Sequence, residues 1–215
     1  MAQVAQEAGR RCSVYIIGAQ CTGKTTLVNA LEDSYAKNEQ PLVIREVART
    51  VLREKGFSRS DITSSPSRAL ELQKHILDAQ FEVEKAATGD DSCSPWYICD
   101  RSGLDPIVYA QLFVSEAAAT EMLATDTWKE LERRMKAGIV ILCEAGCTWL
   151  VDDGTRLMPD GMDEWMRIDS AFRTLLAVRG INYKVIPKDM VSLEERVERV
   201  REHLKHLNEA KSLPA

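Results

Sequence analysis

Short apolar runs and longer amphipathic stretches alternate along the chain, and this alternation predicts its secondary structure. Five segments are largely apolar throughout and predict strands: 12–17, 41–45, 96–99, 139–143 and 182–186. Continuous apolar runs are typical of strands that are buried on both faces of a parallel sheet. The pattern therefore predicts an α/β fold of three layers, in which a five-stranded parallel sheet lies between two layers of helices.

Helices are expected between these strands. They are predicted over residues 24–37, 48–55, 66–87, 105–113 and 115–136, then over 166–178, and a last one begins after Ser192. The Ser-rich segment 58–67 is expected to be a loop. The Asp- and Gly-rich segment 148–164 is long for a compact domain, which predicts a mobile lid over about residues 148–166. We expect a flexible tail at 1–11 and a single domain at 12–212.

A phosphate-binding loop is predicted between the first strand and the first helix. Residues 18–25 match the pattern G-x-x-x-x-G-K-[ST], and the flanking strand and amphipathic helix are the context that this motif requires. Its two glycines allow close approach of the backbone to a triphosphate. Lys24 is expected to reach the β- and γ-phosphates, and Thr25 to bind Mg²⁺. The expected contacts with ATP or GTP are Gly18, Ala19, Gln20, Cys21, Thr22, Gly23, Lys24, Thr25 and Thr26.

Three acidic residues lie at the ends of predicted strands, where ligands bind in parallel α/β sheets, and the third, Glu144, is expected only to cap or to form an ion pair. Asp100 follows the apolar run 96–99 and is expected to hold Mg²⁺ together with Thr25, while the adjacent Arg101 binds phosphate. The alternative for Asp100 and Arg101 is a structural ion pair. Glu46 is the expected catalytic base, which accepts the proton of an acceptor hydroxyl. Its alternative role is that of an acid in the first turn of a helix.

An arginine in the predicted lid is a further catalytic candidate. Phosphoryl transfer spreads negative charge over the migrating group, and a positioned arginine stabilises that charge. Arg156 lies inside the predicted lid and is the expected catalytic arginine. Arg167 and Arg173 follow it, and for each of these two an ion-paired position on a helix is an equally good interpretation.

Composition and charge narrow the classes of partner and compartment. Charged residues make up 28% of the chain and the formal net charge is −5, which argues against a general nucleic-acid-binding protein. No apolar run approaches the roughly 20 residues that span a bilayer, and residues 1–11 contain no secretion signal. Six cysteines without a C-x-x-C pair, and only three histidines, give little support for zinc. Several cysteines lie in predicted strands, where free thiols pack as small hydrophobic residues. This predicts a reducing compartment, either cytoplasmic or nuclear, and the cytoplasm is the expected location.

Four segments, in order, resemble one family of P-loop NTPases. They are the loop 18–25, Arg-Glu-Val-Ala-Arg at 45–49, Asp-Arg-Ser at 100–102, and 149–156 with its Asp-Asp-Gly-Thr-Arg. The family contains the AAA-type domains of bacterial nicotinamide riboside kinases and of animal GTP-binding relatives. The resemblance covers residues 12–190 and implies a nucleoside-kinase-like P-loop fold with strand order 2-3-1-4-5.

The Asp-Arg-Ser segment also resembles a motif of deoxynucleoside kinases that binds substrate and phosphate. In those kinases a glutamate near the end of the second strand is the base, which supports the assignment of Glu46. The expected substrate-binding residues are Glu46, Arg49, Asp100, Arg101 and Asp153.

Two functions stay open at this point. The first is an ATP-dependent kinase that phosphorylates a hydroxyl of a nucleoside-like acceptor, with nicotinamide riboside as the first acceptor to test. Its expected catalytic residues are Lys24, Glu46, Asp100 and Arg156, and either Glu46 or Asp100 addresses the acceptor hydroxyl. The second is a regulatory module that binds GTP or ATP, hydrolyses it slowly and reports its state to a partner protein. The guanine-reading signature Asn/Thr-Lys-x-Asp does not follow the fourth predicted strand, so the preferred base stays open too. Neither function requires nucleic acid or a membrane span.

Overall fold

The computed structural model describes residues 12–58, 60–88, 96–149 and 159–212, so the predicted tail at 1–11 lies outside the described residues. The strands are β1 Val14–Ile17, β2 Leu42–Ile44, β3 Tyr97–Asp100, β4 Ile139–Cys143 and β5 Tyr183–Ile186. The helices are α1 Lys24–Asp33, α2 Val47–Lys55, α3 Asp61–Ser64, α4 Pro66–Thr88, α5 Leu104–Phe113, α6 Glu116–Leu123, α7 Asp126–Ala137, α8 Gly161–Arg179 and α9 Leu193–Ser212. None of these described helices is both long enough and apolar enough to cross a membrane.

The strands form one parallel sheet in the order β2-β3-β1-β4-β5, which confirms the α/β fold and the predicted strand order. In the register, Tyr15 of β1 lies between Cys99 of β3 and Val140 of β4. The first strand is therefore central, and its carboxyl end is flanked by the ends of two others. This edge is where ligands bind in parallel α/β sheets.

Hydrophobic side chains cover both faces of the sheet. On one face, Tyr15 and Ile17 belong to a core cluster with residues of α5, α7 and α8. On the other face, Val14 and Ile16 pack with residues of α1 and α9, and all four β1 side chains are fully buried. Successive strand residues point to opposite faces, so the continuous apolar run of β1 is explained by helices on both sides.

Three predicted boundaries were wrong, and local polar side chains explain two of them. The predicted helix 115–136 is divided into α6 and α7, because Thr125 caps the start of α7 through its hydroxyl. The predicted loop 58–67 contains the short helix α3, with Asp61 in its first turn. The first helix ends at Asp33 rather than at residue 37.

The predicted lid extends too far along the chain. Helix α8 begins at Gly161, so residues 161–166 are helical. Asp163 and Glu164 occupy its first turn, where negative charge complements the helix dipole. In the sequence, a glycine followed by acidic residues looks like a polar loop. The same residues are also favourable at the start of a helix, which is where the structure has them. The rest of the predicted lid lies largely outside the described residues, which omit 150–158.

Candidate functional site

The loop between β1 and α1 has the backbone geometry of a phosphate cradle. Gly18 has a φ of +127°, and a Cβ atom there would lie 2.5 Å from the carbonyl oxygen of Cys143, so a larger residue does not fit. Cys21 and Gly23 also have positive φ angles, of +61° and +81°, as in anion-binding turns of the backbone. No described side chain caps the N-terminus of α1, which leaves its first amides for an anion.

Lys24 is folded back onto this loop. The residue is 5% exposed, and its Nζ donates to the carbonyl oxygen of Ala19 and lies 3.5 Å from Thr22 Oγ1. Burial lowers the pKa of Lys24 to about 8, and the positive charge of Arg101 acts in the same direction. A lysine with this pKa keeps its proton at neutral pH and therefore supplies a positive charge to the loop.

Thr25 and Asp100, the two predicted Mg²⁺ ligands, are in direct contact. Thr25 Oγ1 donates to Asp100 Oδ2 at 2.6 Å, and Asp100 is 2% exposed. Asp100 Oδ1 is buried and has no hydrogen-bond partner among the described residues. A buried carboxylate oxygen of this kind is normally bound by a water molecule or a cation. Hydroxyl and carboxylate oxygens are the ligands that Mg²⁺ prefers. The two side chains therefore fit a magnesium ion beside the phosphate loop.

Arg101 connects the end of β3 to the start of α2. Its Nε donates to Glu46 Oε1 at 2.6 Å, and its Nη1 donates to Asp105 Oδ1 at 3.1 Å. Glu46 Oε2 accepts from Arg49 Nε at 2.9 Å. Arg101 has a φ of +87°, an uncommon angle for a residue other than glycine, and such angles persist where the surrounding contacts hold them. The predicted residues Glu46, Arg49 and Arg101 thus meet next to Asp100.

Asp105 belongs to this cluster, and sequence reasoning missed its role. It is 3% exposed and accepts from the backbone amide of Ser102 at 2.8 Å and from its hydroxyl at 3.0 Å. Burial raises the pKa of Asp105, although the charges of Arg101 and Lys24 oppose the shift. The helical spacing rule could not have indicated its pair with Arg101, because Arg101 precedes α5 and has a positive φ.

A pocket opens between the phosphate loop, the ion pairs of Arg101 and the helices α2, α4 and α5. Its walls are mainly apolar and include Val47, Leu52, Ile62, Leu72, Ile76 and Pro106. Gln20 also lines it: its Oε1 accepts from the Tyr109 hydroxyl at 2.7 Å, and its buried Nε2 has no partner in the described structure. Glu46 and Arg101 line the same pocket. One cavity therefore joins the loop to the ion-pair cluster.

The other predicted site residues lie apart from this cavity or outside the described residues. Thr26 is exposed in the first turn of α1. Asp153 and Arg156 lie in the segment that the structure does not describe. Arg167 and Arg173 form ion pairs within α8, at 3.6 Å and 2.6 Å, as their alternative interpretation predicted.

Solved structures match this fold at low sequence identity. NadR protein in complex with NR has a TM-score of 0.71 and 16% identity, over 91% of this chain and 52% of that chain. Deoxyadenosine kinase from M. mycoides has a TM-score of 0.61 and 13% identity, over 91% and 99% of the two chains. Thymidylate kinase from Ehrlichia chaffeensis has a TM-score of 0.56 and 16% identity, over 90% and 98%. This chain spans about half the length of the NadR chain that it matches.

Comparison with protein families gives a match over most of the sequence. Residues 13–196 match a family described as an AAA domain. No protein with a curated function matches the sequence significantly. The family match agrees with the phosphate loop, the parallel sheet and the similarity to NadR and nucleoside kinases. The chain therefore belongs to the AAA domain family and is a P-loop NTPase with a NadR-like, kinase-like fold.

Proposed function

We propose that this protein is an ATP-dependent kinase that transfers a phosphoryl group to a hydroxyl of a nucleoside-like acceptor. The observation that carries this proposal is the shared pocket, which Gln20 of the phosphate loop and Glu46 beyond β2 both line. A kinase needs such a cavity, because its acceptor must lie in line with the γ-phosphate. A switch that only binds and hydrolyses nucleotide has no need of an acceptor cavity beside the loop.

The pocket lining supports a small planar acceptor that carries hydroxyl groups. Apolar side chains such as Leu72 and Ile76 suit the faces of a heterocyclic base. Gln73, which is 3% exposed, and Nε2 of Gln20 bring amide groups to the same cavity, where they can bond the edge of such a ring. Nicotinamide riboside is the first acceptor to test, because the sequence resembles its kinases and the fold resembles NadR.

Glu46 is the proposed base for the acceptor hydroxyl. Arg101 and Arg49 hold one carboxylate oxygen each, at 2.6 Å and 2.9 Å, so the orientation of the carboxylate in the pocket is restrained. Such a carboxylate orients the hydroxyl and accepts its proton as the bond to phosphorus forms. Arg101 also places a positive charge between Glu46 and Asp105, where it can stabilise the arriving phosphoryl group.

The nucleotide would bind on the opposite side of this pocket. The amides at the start of α1 and the ammonium group of Lys24 would hold its phosphates. Magnesium, held by Thr25 and Asp100, would neutralise negative charge on the phosphate oxygens. Arg156, in the part of the predicted lid that precedes α8, would stabilise the charge of the migrating group.

A phosphorylation assay tests the proposal. The protein is incubated with radiolabelled ATP, Mg²⁺ and a panel of nucleosides that includes nicotinamide riboside, and GTP replaces ATP in a parallel series. We expect a labelled monophosphate from one class of acceptor and no product with Lys24→Ala. Tight nucleotide binding with slow hydrolysis, and no labelled product from any acceptor, would contradict the kinase and favour a nucleotide switch.

A further inference from the structure

Arg196 is a buried arginine of the last helix that reaches the phosphate loop. It is 3% exposed, and its Nη2 donates to the carbonyl oxygen of Thr22 at 3.0 Å. Its Nη1 lies 2.7 Å from the position that a Cβ atom on Gly23 would occupy. The guanidinium therefore lies against Gly23, the residue that precedes α1. The ring of Trp149 covers it, with 5.0 Å between the ring centre and Cζ.

The positive charge of Arg196 is not paired with a carboxylate of any residue that the structure describes. Its Nε is buried without an acceptor among the same residues. A buried charge is unfavourable unless it is paired. Two acids lie in the first turn of the same helix, but Glu194 and Glu195 are exposed and neither forms an ion pair with Arg196. Among the described residues, no ion pair therefore offsets the burial of this cation, as is expected of a side chain that binds an anion.

We propose that Arg196 is a second phosphate-binding cation of the nucleotide site, in addition to Lys24. The inference rests on the proposed nucleotide site, since the N-terminus of α1 is where the loop is expected to hold phosphates. A guanidinium suits this role because its planar set of N–H donors can bind two phosphate oxygens at once. Trp149 covers one face of the group and Thr22 fixes one of its nitrogens, so little ordering is required when phosphate binds.

Binding measurements on three variants test this role. Arg196→Met removes the charge and keeps an unbranched side chain, whereas Arg196→Lys keeps a charge without the planar donors. Arg199→Met is the matched control, because Arg199 lies on the same helix with a side chain that is 44% exposed. Calorimetry at constant ionic strength compares Mg-ATP, Mg-ADP and inorganic tripolyphosphate. We expect Arg196→Met to weaken the binding of all three about 10- to 100-fold, Arg196→Lys to weaken it less, and Arg199→Met to match the wild type.

The outcomes separate this inference from the proposed function. If the wild type binds none of the three ligands, both are wrong. If the wild type binds and Arg196→Met binds equally well, the role of Arg196 alone is overturned. Equal losses in Arg196→Met and Arg199→Met also overturn it, because affinity would then follow net charge alone. If Arg196→Met does not fold, Arg196→Lys decides the question, since unchanged affinity overturns the inference and reduced affinity supports it.

Discussion

Thr25 Oγ1 and Asp100 Oδ2 lie 2.6 Å apart, although 75 residues separate them along the chain. The contact exists because β1 and β3 are neighbours in the sheet, with Ile16 opposite Asp100 in the register. The residue that ends β3 is thereby brought next to the helix that follows β1. A hydroxyl and a carboxylate thus present oxygen atoms at one point beside the phosphate loop, and these are the two side chains proposed to hold magnesium.

Asp100→Asn is expected to weaken the binding of Mg-ATP about 10- to 100-fold, because the amide lacks the charge that would hold the cation. Calorimetric titrations in excess Mg²⁺ and in EDTA measure the effect, and in EDTA the variant and the wild type should bind alike. Asp78→Asn, which changes an exposed acid on α4, is the control. Equal weakening with and without Mg²⁺ would mean that Asp100 supports the loop directly and holds no metal.

Gly18→Ala is expected to destabilise the protein by about 3 kcal/mol or more, because it combines backbone strain with a steric clash. The new methyl group would lie 2.5 Å from the Cys143 carbonyl oxygen, and φ is +127°. Gly56→Ala is the control: Gly56 also has a positive φ, of +66°, but no atom lies within 4 Å of its added Cβ, so a loss of only about 1 kcal/mol is expected. Denaturation with urea measures both. Equal losses would refute the role of the Cys143 contact.

Glu46→Gln is expected to lower kcat about 100- to 10,000-fold while the Kd for Mg-ATP stays nearly constant. The amide keeps an oxygen for Arg101 but does not accept the proton of the acceptor. Single-turnover phosphorylation with the best acceptor, together with calorimetry for the nucleotide, measures the two effects separately. Glu54→Gln, at a side chain that is 63% exposed, is the control. A Glu46→Gln variant with wild-type kcat would leave Glu46 only the role of positioning Arg101.

The strands of the fold could be predicted because their signal is local. The run Val14–Ile17 is apolar at every position, and both of its faces are covered by helices. The order of the strands has no local signal, because it depends on contacts between distant segments, such as Ile16 with Asp100. It was predicted only through the resemblance to a known family. Helix boundaries were predicted wrongly where a single polar side chain, such as Thr125, determines them.

The candidate site was predictable where its residues are adjacent in sequence or end a strand. Lys24 and Thr25 belong to one contiguous motif, and Asp100 closes an apolar run. Asp105 and Arg196 carry no such mark, because Asp105 looks like an acid in the first turn of a helix and Arg196 like an ordinary charged residue of an amphipathic helix. Arg196 is 174 residues from its hydrogen-bond partner Thr22, so its contact with the loop depends on how α9 packs against the sheet.

A buried acid behind the pocket allows a test of the core by pH. Glu84 is fully buried, and its Oε1 accepts from Gln80 Nε2 at 2.8 Å. Its Oε2 accepts from the hydroxyls of Tyr15 and Tyr97, at 3.1 Å and 3.2 Å, with Arg134 Nη1 at 4.0 Å. Burial raises the pKa of Glu84 above its ordinary value, although these donors and the arginine oppose the shift.

Glu84→Gln is expected to remove part of the pH dependence of stability. Above about pH 4.5 the unfolded chain releases the proton of Glu84, while the folded protein keeps it up to the raised pKa. The stability of the wild type therefore falls as pH rises through this interval, and the uncharged amide of the variant avoids that loss. Urea denaturation between about pH 5 and pH 8 should show that the free energy of unfolding of the variant rises relative to that of the wild type as the pH rises. Glu82→Gln, at an exposed position of the same helix, is the control and should show the wild-type dependence of stability on pH. If Glu84→Gln also shows the wild-type dependence, the pKa of Glu84 is not raised.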